Sequence, residues 1–137
     1  MIQYKVNLFL VIAWIASVSS ITSTTLSDRV CEEVNKSIQM GSAQLLSKHF
    51  STTIELSVLG KDAYVNKTQA TSILADFFKE NPPKSYLVKQ GGSNSENTKF
   101  VIGTYASTSG NLFKIYYVIK KEKGVDAIQK MTIEKKQ

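Results

Sequence analysis

Lys99-Phe-Val-Ile-Gly-Thr-Tyr-Ala106, Leu112-Phe-Lys-Ile-Tyr-Tyr-Val-Ile-Lys120 and Val125-Asp-Ala-Ile-Gln-Lys-Met-Thr-Ile133 follow one another in the last third of the chain. Each is rich in β-branched and aromatic residues, which suit a half-buried pleated surface. The links between them, Ser107-Thr-Ser-Gly-Asn111 and Lys121-Glu-Lys-Gly124, are short and polar and each contains a glycine, as hairpin turns require. Three consecutive antiparallel strands are therefore expected. A meander of this kind buries one face, so the rest of the chain must supply its cover.

Working upstream, Gly91-Gly-Ser-Asn-Ser-Glu-Asn-Thr98 reads as a polar loop and Lys84-Ser-Tyr-Leu-Val-Lys-Gln90 as a fourth strand. Pro82-Pro83 precedes it and ends a helix, because proline has no amide donor and holds the preceding residue extended. In that helix Ala70, Ile73, Leu74, Phe77 and Phe78 fall on one face, and Asn66 with Gln69 forms a variant capping box at its start. Before it, Ile54, Leu56 and Val58 alternate with Thr53, Glu55 and Ser57 in a strand, Gly60-Lys61-Asp62 turns the chain, and Ala63-Tyr64-Val65 makes a brief strand. Val30, Val34 and Ile38 recur at helical spacing behind a cap at Ser27 or Asp28, with Glu32 and Glu33 near the favourable end of the helix dipole. Gly41-Ser42 interrupts that stripe, and Leu45, Leu46 and Phe50 continue it on a rotated face. One kinked N-terminal helix, or two at an angle, is expected. Helices grouped ahead of a run of strands define an α+β domain with both helical segments on one side of a curved antiparallel sheet that ends in a four-strand meander.

With 137 residues, 42% hydrophobic, the chain has enough material for one real core. Residues 1–20 read as a signal peptide. Met1 to Lys5 carries one positive charge, Val6 to Val18 is apolar but for Asn7 and Ser17, and Val18-Ser19-Ser20 offers a cleavage site near Ser20. The apolar run is shorter than a membrane span, which argues against an uncleaved anchor and for no stable span after cleavage. Residues 21–137 are then the exported domain, periplasmic or extracellular. Cys31 stands alone, so no internal disulfide can form, and the charges of Asp28 and Arg29 just ahead of it rule out a lipid-attachment motif. A small hydrophobe on a helix is its plain reading; a redox role is the alternative.

The net charge of +6 invites a nucleic-acid reading. Export opposes it, and so does the pattern. Lys114, Lys120, Lys121, Lys123, Lys130, Lys135 and Lys136 are spread along strands, turn and tail, and Arg29 is the only arginine. Without the bidentate guanidinium fork a base reader lacks its main tool. No metal site or cofactor is expected from one histidine and one cysteine without paired carboxylates at ligand spacing. Gly91-Gly92 lacks the lysine and flanking helix of a phosphate loop.

The segments GSAQLLSKHF from Gly41, QATSILADFFKENPPKSY from Gln69 and IGTYASTSGNLFKIYYVIKK from Ile102, with Ile128 to Glu134, resemble a family of small exported Bacteroidetes-type proteins, DUF4783. The element order resembles the wider nuclear-transport-factor-2-like (NTF2-like), or cystatin-like, superfamily. That resemblance implies a cone in which helices close over the curved sheet. In some relatives the cone is an active site, as in the ketosteroid isomerase and scytalone dehydratase types; in others it is filled or the sheet pairs two copies. Fold alone does not choose between these.

The residues proposed to line a pocket or interface are His49, Tyr64, Tyr86, Tyr105, Lys114, Tyr116 and Tyr117. Tyrosines and lysines among aliphatics can hold an apolar body with an anionic end, or form a protein interface or homodimer face. The expected function is a non-catalytic module binding a small amphipathic ligand or a protein. The alternative is an isomerase, dehydratase or hydrolase with His49 as base, which requires His49 to face a cavity within reach of a carboxylate.

Overall fold

Gly41 decides how the helical cover is divided. The computed structural model describes residues 26–94 and 96–137, so the signal segment expected over residues 1–20 lies outside the described residues. Helix α1 (Leu26–Met40) ends at Gly41, whose φ of 64° a side chain rarely tolerates and where a Cβ would meet the Pro83 ring at 2.8 Å. Ser42 then caps α2 (Ala43–Ser47) by accepting from the amide of Leu45 at 3.2 Å. The helical stripe is thus two helices, broken at Gly41.

Strand β1 (Phe50–Val58) turns through Leu59-Gly60 into β2 (Lys61–Asn66). Asn66 caps α3 (Lys67–Glu80) with both bonds of the capping box, its Oδ1 taking the Gln69 amide at 2.9 Å while Gln69 returns to the Asn66 amide at 3.2 Å. After the prolines come β3 (Pro83–Ser93), β4 (Lys99–Ser107), β5 (Leu112–Glu122) and β6 (Val125–Lys135). Strand β3 runs further than its sequence suggests, because Gly91, Gly92 and Ser93 pair with Val101, Phe100 and Lys99. The Phe100 ring lies over Gly92 where a Cβ would sit.

The six strands are ordered β2-β1-β6-β5-β4-β3, and every neighbouring pair is antiparallel except β1 with β6. Register shifts interrupt β1 against β6, β5 against β6 and β3 against β4, and such bulges bend a sheet and increase its twist. Curvature lets one face wrap the helices. Val34 and Ile38 of α1, Leu46 of α2, and Leu74, Phe77 and Phe78 of α3 meet Leu56, Phe113, Ile115, Ile119, Met131 and Ile133 there, all buried. Each large apolar side chain hidden this way is worth about 1.5–3 kcal/mol against its exposed state.

Candidate functional site

Inside the cone, three of the seven candidate residues lie close-packed. Tyr105 and Tyr117 are fully buried and Tyr86 is 6% exposed. Tyr105 sits in an aromatic cluster with Phe77 and Phe113, whose rings are themselves 5.1 Å apart, and its hydroxyl donates to the main-chain oxygen of Asn81. Tyr117 donates to Asn35 Oδ1 at 2.8 Å, beneath α1. Tyr86 lies flat across Gly103, and its buried hydroxyl has no hydrogen-bond partner among the described residues. Burial pushes the Tyr105 phenol up to about 12 and drives those of Tyr86 and Tyr117 higher still, so all three stay neutral donors. Burial likewise raises the Cys31 thiol, which keeps it protonated and a weak nucleophile.

His49 occupies the end of α2 at the start of β1, its main-chain oxygen taking the Ile128 amide at 2.6 Å. Its Nε2 is 3.2 Å from Glu33 Oε2, with the imidazole 15% and the carboxylate 66% exposed. Burial lowers its pKa and outweighs the opposing pull of Glu33, with Lys48 also lowering it. The carboxylate within reach is Glu33 on α1, an element that local spacing does not connect to His49.

Lys114, Tyr116 and Tyr64 lie on the opposite, outer face. Tyrosines 116 and 117 are neighbours in one strand, so the pleat must send them to opposite sides. Tyr105 pairs directly with Phe113 and shares its inward face, while Tyr116 pairs with Ile102. The seven candidates therefore do not form one lining, and an interface role for Tyr105 and Tyr117 is corrected: both are fully buried in the core. Register carries the outer face across the sheet as Tyr64, Glu55, Lys130, Val118 and Phe100 in one row, then Asp62, Ser57, Thr132, Tyr116 and Ile102 in the next. Phe100, Ile102, Tyr116 and Val118 make a half-exposed apolar strip, with the Phe100 and Tyr116 rings 6.5 Å apart. Two ion pairs flank it, Lys130 to Glu55 at 3.0 Å and Lys114 to Glu134 at 2.8 Å. Among the described residues no group of three metal-ligating side chains gathers, and no helix is long and apolar enough to cross a membrane.

A helix-covered, strongly curved six-strand sheet of this order is the NTF2-like, cystatin-like α+β fold. An NTF2-like protein from Shewanella baltica shares it at 11% identity, with a TM-score of 0.61 over 80% of this chain and 90% of that one. More specifically, the chain belongs to the family described as Domain of unknown function (DUF4783), which matches residues 31–134. A DUF4783 family protein from Bacteroides ovatus is 31% identical, covering 77% of this chain and 94% of that chain with a TM-score of 0.72. Another from Bacteroides uniformis is 25% identical, covering 79% and 98% with a TM-score of 0.74. No curated protein matches the chain at a significant level.

Proposed function

We propose that this chain works, after export, as a non-catalytic binding module whose working surface is the outer face of its sheet, and that the protein it meets there is a second copy. The observation that carries this reading is the strip of Phe100, Ile102, Tyr116 and Val118 left uncovered between two internally paired sets of charges. An apolar centre with a polar rim is the anatomy of a protein interface. On a chain of net charge +6, most surfaces repel a copy. Here Lys114 and Lys130 are each matched by a glutamate on the same face, which lowers that penalty beside the strip.

The non-catalytic part is supported by the placement of the chemistry. The tyrosine hydroxyls that could polarise a carbonyl are buried under α1 and α3, whereas His49 pairs with the solvent-exposed Glu33. The catalytic alternative draws on that 3.2 Å contact alone. Native mass spectrometry and sedimentation velocity of residues 21–137 test the reading. Wild type is expected at twice the subunit mass, and Ile102→Glu or Tyr116→Glu at the subunit mass with an unchanged circular-dichroism spectrum. A wild-type monomer at every concentration, or dimers that survive both substitutions, would overturn it.

A further inference from the structure

We infer that the outer face of the sheet carries a second site, a concavity over β1, β2, β5 and β6 that binds a neutral oligosaccharide. This goes beyond the second-copy reading and does not rest on it, since the concavity lies on the β2 side of the apolar strip and shares only Val118 with it. Its volume is about 600 Å³, within the range of small-molecule sites. Pairing places Tyr64, Glu55, Lys130 and Val118 in one row on this face, and Lys120 and Glu122 follow Val118 at every second residue of β5. The carboxylates of Glu55 and Glu122 are balanced by the ammonium groups of Lys120 and Lys130. An ionic ligand drawn to one pair is repelled by the other, and a purely apolar one would leave these charges desolvated. Hydroxyl groups both donate and accept, so a sugar can use the carboxylates, the ammonium groups and the Gln129 amide together.

The sheet is deformed where it makes this floor. Gln129 is skipped by both neighbouring ladders: β1 passes from Phe50 opposite Ile128 to Glu55 opposite Lys130, and β5 from Ile119 opposite Ile128 to Val118 opposite Lys130. Bulges gather beside functional sites, where they re-aim a side chain, and here two of them coincide at an amide that both donates and accepts. The same break leaves Ser51, Thr52 and Thr53 outside the β6 ladder, and all three line the concavity. Ser51, itself 5% exposed, donates its hydroxyl to Glu122, and Thr52 bonds the same carboxylate through main chain and side chain. These donors hold the Glu122 carboxyl below its ordinary range, so it is fixed as an ionised acceptor before any ligand arrives. Tyr64 completes the wall, 77% exposed on the edge strand β2. Folding gains little from a tyrosine so exposed, whereas its ring is a platform for the C–H face of a pyranose.

The test is an amide-resolved NMR titration of residues 21–137 with cellobiose, maltose, lactose and N,N′-diacetylchitobiose. Glucose, its charged relatives glucosamine and glucuronate, and open-chain sorbitol serve as counterparts. At least one disaccharide is expected to shift the amides of Thr52 to Glu55, Tyr64, Gln129 and Lys130 with a millimolar Kd, and sorbitol, which has no ring to lay on Tyr64, should not. Tyr64→Ala should weaken that binding about tenfold while Tyr64→Phe keeps it, because the ring face is used and the hydroxyl is not. Tyr64 is exposed enough for both variants to fold. Gln129→Ala should weaken binding severalfold. The absence of shifts from every disaccharide up to about 50 mM, shifts confined to other surfaces, equal binding of sorbitol, or an affinity that survives Tyr64→Ala would overturn the proposal. So would tighter binding of glucosamine or glucuronate than of glucose, since the concavity would then be reading charge.

Discussion

Replacing Gly103 with alanine should be one of the most damaging single-methyl changes this fold can suffer. Gly103 lies in the middle of β4 with an extended backbone, so glycine is there for room rather than for a special φ. A Cβ at this position would fall inside the Tyr86 ring, 2.5 Å from the hydroxyl oxygen. The atoms it meets belong to a rigid ring that is 6% exposed. Tyr86 cannot step aside without moving β3 from under α1. Overpacking a tight core costs about 1–3 kcal/mol. Expelling the ring instead would forfeit about 1.5–3 kcal/mol of its burial. The gain of alanine over glycine in strand propensity, roughly 0.5–1 kcal/mol, offsets little of this. A net loss of about 2 kcal/mol is expected, toward the upper end of that balance because the ring is rigid.

A double-mutant cycle tests the cause as well as the size. Tyr86→Leu removes the ring atoms that lie over Gly103 and by itself should cost about 2 kcal/mol in lost packing. In that background Gly103→Ala should be nearly neutral, giving a coupling energy of about 2 kcal/mol, in the range measured for residues in direct contact. The assay is urea unfolding followed by far-ultraviolet circular dichroism, since the only tryptophan, Trp14, belongs to the expected signal segment. Equal costs of Gly103→Ala in both backgrounds would refute the argument, because the penalty would then belong to the strand and not to the ring.

Two of the three buried phenols should respond with opposite sign to losing their hydroxyls. Tyr86→Phe removes an orphaned polar atom and is expected to stabilise by about 1 kcal/mol, whereas Tyr117→Phe strands Asn35 and should destabilise by a similar amount, both read from urea midpoints. Burial holds His49 below its unfolded value of 6.5, so the unfolded chain binds the proton more readily. Its contribution is complete above that pH and is lost as pH falls through it; His49→Gln should therefore flatten the decline in thermal midpoint between about pH 7 and pH 5. Asn66→Ala removes the cap of α3 and should cost about 1 kcal/mol, most of which Asn66→Gly should recover.

The elements themselves were legible because each follows one clean period: α3 through Ala70, Leu74, Phe77 and Phe78, β5 through Phe113, Ile115, Tyr117 and Ile119. Faces were harder. In β5 the lysines at 114 and 120 mark the outer side, so the inward direction of Tyr117 could be read locally. In β4 the same reasoning misleads, since Phe100 and Ile102 are more apolar than Val101 and Gly103 yet face outward. Only the pairing of Tyr105 with Phe113 settles which side is core, and pairing is a long-range property. The parallel contact of β1 with β6 is of the same kind, joining segments separated by most of the chain. One signal was available and local: a glycine inside a strand marks a close approach, and both Gly92 and Gly103 have an aromatic ring where a Cβ would be.

The interior also explains why binding is assigned to surfaces. A ligand held in an apolar cone is oriented by polar atoms that need a partner. Here the Tyr105 hydroxyl is taken by the main chain at Asn81 and the Tyr117 hydroxyl by Asn35, while Phe77, Phe78 and Phe113 occupy the space between helices and sheet. Among the buried hydroxyls of the described residues, that of Tyr86 has no partner, and Gly103 gives its ring room. What local pattern could not supply is the packing of α3 against the β1–β2 hairpin, which sets Ile73 and Phe77 beside Leu56 and Val58. In this fold the space and the polar atoms of the cone are largely taken by its own side chains, which leaves binding to the surface.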